Sequence, residues 1–436
     1  MEKLEILEVL NDWNYWNRDL PKTISRDYYD KKINSFIKND EIVVLKGIRR
    51  CGKSTLLVNQ IKILCDEGID KNDILFVNLE DPRFTNCLNV ELLSKIKDVY
   101  LEYLNPSKKP YIFLDEIQNI QDWEKWVNKE YELKLSNIVI TGSNSSMLSK
   151  EIATSLSGRY LSIEIFPLSF KEFLYFKDIK ISSKLDFVDK KIELNRAFEE
   201  YLEFGSFPKV LDYDKNSKKE LLNTYKESIL LNDIVARYKL NNFTILEEIS
   251  AFLLSNSGII QSITKIKNSF KISFDMARDY IEYLKNAYMI YEIKKFDYSL
   301  RKQNLNDKKY YSADLGLSNL YRVANLKFKG SNLETIVALE LLRRGFEIYY
   351  YKTQNGLEID FVVVKNNKIE KLIQVSKSLE NDKTKKRELE VFSKTVDELN
   401  LIDVKSIIIS EDKSSKFLYN KQEIEVKNIL EWLNFD

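Results

Sequence analysis

Gly47, Arg49, Arg50, Cys51, Gly52, Lys53, Ser54 and Thr55 fall within one short stretch, GIRRCGKST, whose spacing is G-x-x-x-x-G-K-[ST]. Those residue types in that order suit one task, the holding of a polyphosphate. The glycines let the backbone turn tightly, so that successive N–H groups face phosphate oxygens, and a helix starting at the end of the loop adds the positive pole of its dipole. Lys53 brings a point charge to the terminal phosphates and Ser54 a hydroxyl ligand for Mg2+. Arg49 and Arg50 are placed to meet phosphate or nearby acids.

A second set follows downstream, where the apolar run Tyr111-Ile112-Phe113-Leu114 leads into Asp115 and Glu116. A buried strand ending in carboxylates opposite the phosphate loop would put Asp115 on Mg2+ through a water, with Glu116 polarising the attacking water. The adjacent pair of acids favours hydrolysis over phosphoryl transfer to a second substrate. The strand Asn137-Ile138-Val139-Ile140 then ends in Thr141-Gly142-Ser143-Asn144. A polar side chain there can touch both the γ-phosphate and the lytic water, Ser143 being the first choice and Asn144 the second. The alternative is an ordinary turn capping the next helix. Arg159, just before a fifth strand, could complete the site in cis or reach the nucleotide of a neighbouring copy in a homo-oligomer; a solvated surface position is the competing view.

These groups need a scaffold that brings loop and strand ends together. From Glu41 to Pro167 short apolar runs (EIVVLKG, DILFVNL, YIFLDE, NIVITGS, YLSIEIFP) alternate with helical spacing, the pattern of βαβ units around a mainly parallel sheet. From Ser169 to about Tyr291 the β-branched runs disappear and helical patterns follow one another. Within that section ILEEISAFLLSNSG, SITKIKNSF and SFDMARDYIEYLKNAYMIYEIKKF give three helices and a closing strand, the order of a winged helix-turn-helix. Lys265, Lys267, Lys271 and Arg278 surround its recognition helix and suit phosphate contacts, whereas Met276, Tyr280, Tyr283 and Leu284 suit a core. From about Asn332 a second α/β pattern begins. The domains expected are 1–168, a P-loop ATPase core; 169–244, a helical lid; 245–305, a winged helix; and 306–436, a nuclease-like α/β domain.

Composition removes whole classes of chemistry. The 436 residues include no histidine, so Ser-His-Asp and Cys-His catalysis and histidine-ligated zinc are unavailable. Three cysteines are one too few for a Cys-only zinc site, and a disulfide framework makes no sense at this length. No signal peptide and no uninterrupted apolar span is read, so the chain is expected to be cytoplasmic and to have no membrane partner. With 68 Lys and Arg against 67 Asp and Glu there is no uniformly basic coat, though a local basic face is compatible with that balance.

The ordered motifs GIRRCGKST, YIFLDEIQ, ITGSNS, LSGRY and FPLSFKEF, followed by KKYYSADLGL and LEIDFVV, resemble the predicted AAA+-type ATPases of bacteria and archaea that end in a domain of unknown function. The resemblance spans about Asp27 to Leu389. It implies an ATP-hydrolysing core using ATP and Mg2+, a helical and winged-helix middle, and a nuclease-like last domain.

The pattern of that last domain, helix, strand, strand, strand, helix, strand, is the core order of the restriction-endonuclease-like fold. Such nucleases hold Mg2+ with carboxylates from the first helix and from the second and third strands, and a lysine assists the water. Glu334 and Asp360 occupy the first two positions, with Glu358 on the face of Asp360. Gln374 replaces the third acid and Ser376 the lysine. A nuclease-derived binding fold is therefore favoured over an active nuclease. Three functions remain in competition: an ATPase that drives conformational change, acting on DNA; an ATP-regulated metal nuclease; and a nucleotide-dependent protein-binding switch without DNA.

Overall fold

Five short runs of branched apolar residues form the first sheet: β1 Ile42–Lys46, β2 Ile74–Asn78, β3 Tyr111–Asp115, β4 Asn137–Gly142 and β5 Tyr160–Glu164. All neighbouring pairs are parallel, in the order β2-β3-β4-β1-β5. The chain leaves β1, jumps to the edge at β2 and returns through β3 and β4. The carboxyl ends of β1 and β3 therefore flank that of β4, which is where a ligand crevice forms in open α/β sheets.

Central strands buried on both faces read as continuous apolar runs rather than alternating ones, and Val43, Val44 and Leu45 are fully buried. Ile6, Val9 and Leu10 of helix Lys3–Trp13, Leu92 and Ile96 of helix Val90–Leu104, and Trp123 and Val127 of helix Trp123–Glu132 join Val44, Leu75, Ile112 and Ile138 in one core. Each such aliphatic side chain contributes about 1.5–3 kcal/mol on burial. The exposed edge at β2 is closed by side chains. Asn14 donates its amide to the Phe76 carbonyl (2.8 Å) and accepts from the Phe76 N–H (2.7 Å), and the Trp16 indole donates to the Ile74 carbonyl (2.9 Å). Asn14 thus occupies the place of another strand's peptide group, which blunts an edge that would otherwise pair with a second chain.

The structure, a computed structural model, describes residues 1–145, 156, 158–322, 329–420 and 422–435. It divides into Met1–Phe166 with Asn286–Tyr288, and Pro167–Lys285 with Met289–Asp436.

The second unit opens with helices Phe170–Phe176, Lys191–Phe204 and Lys215–Ser228, then helices Phe243–Ser255, Ile263–Phe270 and Phe274–Asn286. Interleaved with the last three is an antiparallel sheet in the order β6-β8-β7, made of β6 Ile260–Gln261, β7 Ile290–Lys294 and β8 Lys308–Ser312. Its central strand is β8, whose Lys309 pairs with Ile260 on one side and Ile293 on the other. Asp314, which follows β8, is 1% exposed and accepts hydrogen bonds from the Ser206 N–H (2.6 Å), the Ser206 hydroxyl (3.0 Å) and the Gly316 N–H (2.8 Å). It ties the turn after helix Lys191–Phe204 to the start of helix Leu315–Asn319.

Helix Lys329–Arg343 leads into a six-stranded mixed sheet in the order β13-β14-β12-β11-β10-β9. Its strands are β9 Glu347–Lys352, β10 Glu358–Lys365, β11 Lys368–Val375, β12 Lys405–Ser410, β13 Ser415–Tyr419 and β14 Gln422–Asn428. β9, β10 and β11 form an antiparallel meander, and helix Asp382–Leu399 carries the chain to β12, parallel to β11. The fold class is thus a parallel P-loop-type α/β sheet, a helical section and a C-terminal mixed sheet.

Candidate active site

The GIRRCGKST stretch is a loop between β1 and helix Lys53–Asp66. Gly52 caps that helix at φ 102°, a left-handed conformation that side chains disfavour, and a Cβ at Gly47 would stand 2.2 Å from the Ile165 carbonyl oxygen. Both glycines are therefore demanded by the backbone. The buried Arg26 guanidinium donates to the Cys51 carbonyl (3.1 Å) and lies 4.5 Å from the Tyr29 ring centre, bracing the loop from behind. Cys51 is fully buried, and burial pushes its thiol up, away from reactivity. Arg50 is exposed and takes a left-handed φ of 70°. Arg49 pairs with Glu80 at 2.7 Å.

Lys53 is only 3% exposed. Its ammonium donates to the carbonyls of Gly47 (3.1 Å) and Ile48 (3.3 Å) and lies 3.5 Å from the Glu116 carboxylate. Ser54 and Thr55 open the helix on its exposed side.

Adjacent residues of a strand point to opposite faces, so Asp115 and Glu116 could not share a pocket if β3 ran on. Glu116 breaks the strand with φ 55°, and this reversal brings its carboxylate to Lys53. Thr141 supports both acids: its hydroxyl donates to Asp115 (2.6 Å) and accepts from the Glu116 N–H (2.8 Å). The Gln118 amide donates to Glu116 and to the Ser143 hydroxyl (3.0 Å). Ser143 and Asn144 are buried at the end of β4, beside this group. Arg159 is placed elsewhere, its guanidinium bonded to Glu132 and Asn128 of helix Trp123–Glu132.

The electrostatics separate the two acids. Burial works against ionisation of Glu116, but Lys53, Gln118 and Arg49 outweigh it and hold its carboxyl below the usual range. For Asp115 burial prevails, with Glu116 adding to it, and despite hydrogen bonds from Thr141 and Ser54 its carboxyl is pushed up to about 6. The result is one carboxylate kept charged and one short of a cation. An ammonium, an exposed hydroxyl, a glycine-turned loop at a helix start and a cation-poor carboxylate together fit a Mg2+–triphosphate. Were Asp115 to hold Mg2+, its proton would compete with the metal, and metal affinity should fall as the pH drops through about 6, approaching tenfold per pH unit. Mg2+ titrations of ATP turnover at pH 5 to 8 check this, and an apparent affinity unchanged between pH 7.5 and 5 speaks against it.

A second polar cluster lies in the other unit. Glu334 of helix Lys329–Arg343 and Glu358 and Asp360 of β10 meet there around the ammonium of Lys309, from β8. Lys309 is 1% exposed and lies 2.8 Å from Glu334, 2.6 Å from Glu358 and 3.4 Å from Asp360. Burial opposes its charge, yet the three carboxylates and Tyr311 hold it ionised. Burial, with Glu334 and Glu358 adding, raises the Asp360 carboxyl far above its usual range in spite of Lys309. Gln374 accepts from the Asp360 N–H (3.1 Å). Among the described residues, no set of three or more Asp, Glu, Cys or His side chains is arranged to hold a metal ion.

Thr141, Gln118, Arg26, Lys309 and Tyr311 went unassigned in the sequence. Gln118 had a faint signal, a polar residue two positions after the acid pair. Lys309 had none, because a lysine in KKYYS reads as solvated. No described helix is long and apolar enough to cross a membrane.

Comparison with known proteins adds a lineage to this geometry. A family model described as an AAA domain matches residues 39–174. Models of two domains of unknown function, DUF8612 and DUF4143, match 195–328 and 329–429. The uncharacterized protein MJ1544 of Methanocaldococcus jannaschii is 35% identical over 424 residues, 94% of this chain and 91% of that protein. An uncharacterized protein of Haemophilus influenzae is 35% identical over 355 residues, 79% of this chain and 85% of that one. Among solved structures, the Walker-type ATPase paby2304 of Pyrococcus abyssi is similar with a TM-score of 0.42 at 15% identity, covering 69% of this chain and 96% of that one.

Proposed function

We propose, for a chain that belongs with MJ1544 to an AAA-type P-loop ATPase family of bacteria and archaea, that it hydrolyses Mg·ATP and uses the cycle to move its helical and C-terminal parts on DNA. The observation that carries the ATPase reading is the grouping of Lys53, Asp115 and Glu116 around one end of the sheet, with Lys53 3.5 Å from Glu116. Lys53 and the loop N–H groups hold the phosphates, while Ser54 and Asp115 are the residues that would hold Mg2+, whose charge offsets that of the phosphates. Glu116, ionised beside Lys53, takes a proton from water as the water oxygen bonds to the γ-phosphorus and the bond to the β-phosphate oxygen breaks, releasing ADP and phosphate. Gln118 and Ser143 aim Glu116, and Thr141 orients both acids. Arg159, half-exposed in its contact with Glu132, keeps the alternative of serving a neighbouring copy.

The DNA part rests on the three helices from Phe243 to Asn286 and the β6-β8-β7 sheet, an order and pairing compatible with a winged helix. Lys265 and Lys271 are exposed there, and Tyr280 and Leu284 are core. Arg278 is engaged by Asp275 and Asp279, which leaves the lysines as the main phosphate contacts. Duplex, single-stranded or branched DNA should stimulate ATP turnover, and Lys265→Glu with Lys271→Glu should reduce that stimulation and its salt dependence. A flat response of turnover to every DNA shape would move the assignment to a protein-binding switch.

A further inference from the structure

We propose that the Lys309 ammonium is the resident cation of the Glu334, Glu358 and Asp360 cluster, so that the mixed sheet is a metal-free, non-cleaving module. In nucleases of the fold this sheet resembles, carboxylates at these positions hold Mg2+. The structure fills that place with a side chain from a different sheet.

Three observations carry the inference. The first is position: Nζ of Lys309 lies within 3.4 Å of all three carboxylates. A divalent ion needs carboxylate oxygens at about 2.0–2.6 Å from its own centre, so it and the ammonium cannot share the site. Second, Lys309 is anchored at its base and shielded from solvent. It belongs to the central strand of its sheet, in register with Ile260 on one side and Ile293 on the other, and is 1% exposed.

Third, protein donors other than Lys309 also hold this group of acids. Tyr311 donates to Glu334 (2.7 Å), the Val375 N–H donates to Asp360 (2.9 Å), and Gln374 is turned to the Asp360 N–H. Gln374 at the end of β11 and Ser376 just after it stand where a nuclease would carry an acid and a lysine, so neither position supplies a carboxylate or an ammonium. The cluster instead fastens β8 to helix Lys329–Arg343 and to β10 through the Lys309 ammonium.

The test is Mn2+ binding to the nucleotide-free full-length chain, followed by the electron paramagnetic resonance of free Mn2+. Wild type and Asp360→Asn should bind the same number of ions. Lys309→Ala should melt at a lower temperature, bind one additional Mn2+ that raises its melting temperature, and lose that ion when Asp360→Asn is added. A Mn2+ site in wild type that Asp360→Asn removes would overturn the proposal, as would Mn2+-dependent DNA cleavage by wild type abolished in Asp360→Asn. Should Lys309→Ala fail to fold, the wild-type and Asp360→Asn comparison decides by itself.

Discussion

Lys53→Ala is expected to lower ATP turnover by about 100- to 1,000-fold, the cost of losing one preorganised charge at a reacting phosphate. Two effects act together. The phosphates lose their point charge, and Glu116 loses the cation that outweighs its burial, so its carboxyl rises and the proton acceptor is less available. Because the ammonium is almost wholly buried among the Gly47 and Ile48 carbonyls and Glu116, solvent cannot replace it. The loss should appear both in kcat/KM and in the affinity for a fluorescent ATP analogue. Phosphate release and a nucleotide titration on the same preparation check this, and turnover within threefold of wild type would contradict the assigned role.

Glu116→Gln separates chemistry from binding. The amide preserves the shape of the side chain and can still meet Gln118, but it does not accept the water's proton. Turnover should fall by about 100- to 10,000-fold, while ATP affinity stays near that of wild type because Lys53 and the loop are intact. The variant should retain unhydrolysed ATP through gel filtration. If affinity and turnover fell in parallel, Glu116 would be a binding group and the proton acceptor would lie elsewhere, with Ser143 or a water held by Gln118 next in line.

The phosphate loop was legible because every part of it is local: glycines, lysine and hydroxyl are contiguous and flanked by the strand and helix the motif requires. The parallel sheet was legible for a related reason, since strands buried on both faces cannot hide polar residues. What escaped is set by non-local packing. Thr141 bridges Asp115 and Glu116 only because β4 lies beside β3, and that adjacency is a matter of strand order rather than spacing. The left-handed turn at Glu116 is invisible in YIFLDEIQ, yet it decides that two neighbouring acids share a pocket.

The last sheet shows the opposite case. Its helix and strand order could be read, and the substitutions Gln374 and Ser376 already weakened a nuclease assignment. The residue at the centre of its carboxylates could not be read, because Lys309 comes from a strand that pairs with β6 and β7 and not with the last sheet. A buried lysine among aromatics carries no sequence signature until its three carboxylate partners are seen.

The central claim is that one end of the five-stranded sheet turns over ATP. Multiple-turnover phosphate release by the purified full-length chain, with Mg2+ and then with excess chelator, tests it most directly. The account predicts steady release over many turnovers with Mg2+, and none above background with chelator or in Lys53→Ala. Release equal in wild type and Lys53→Ala, or unaffected by removing Mg2+, would contradict it.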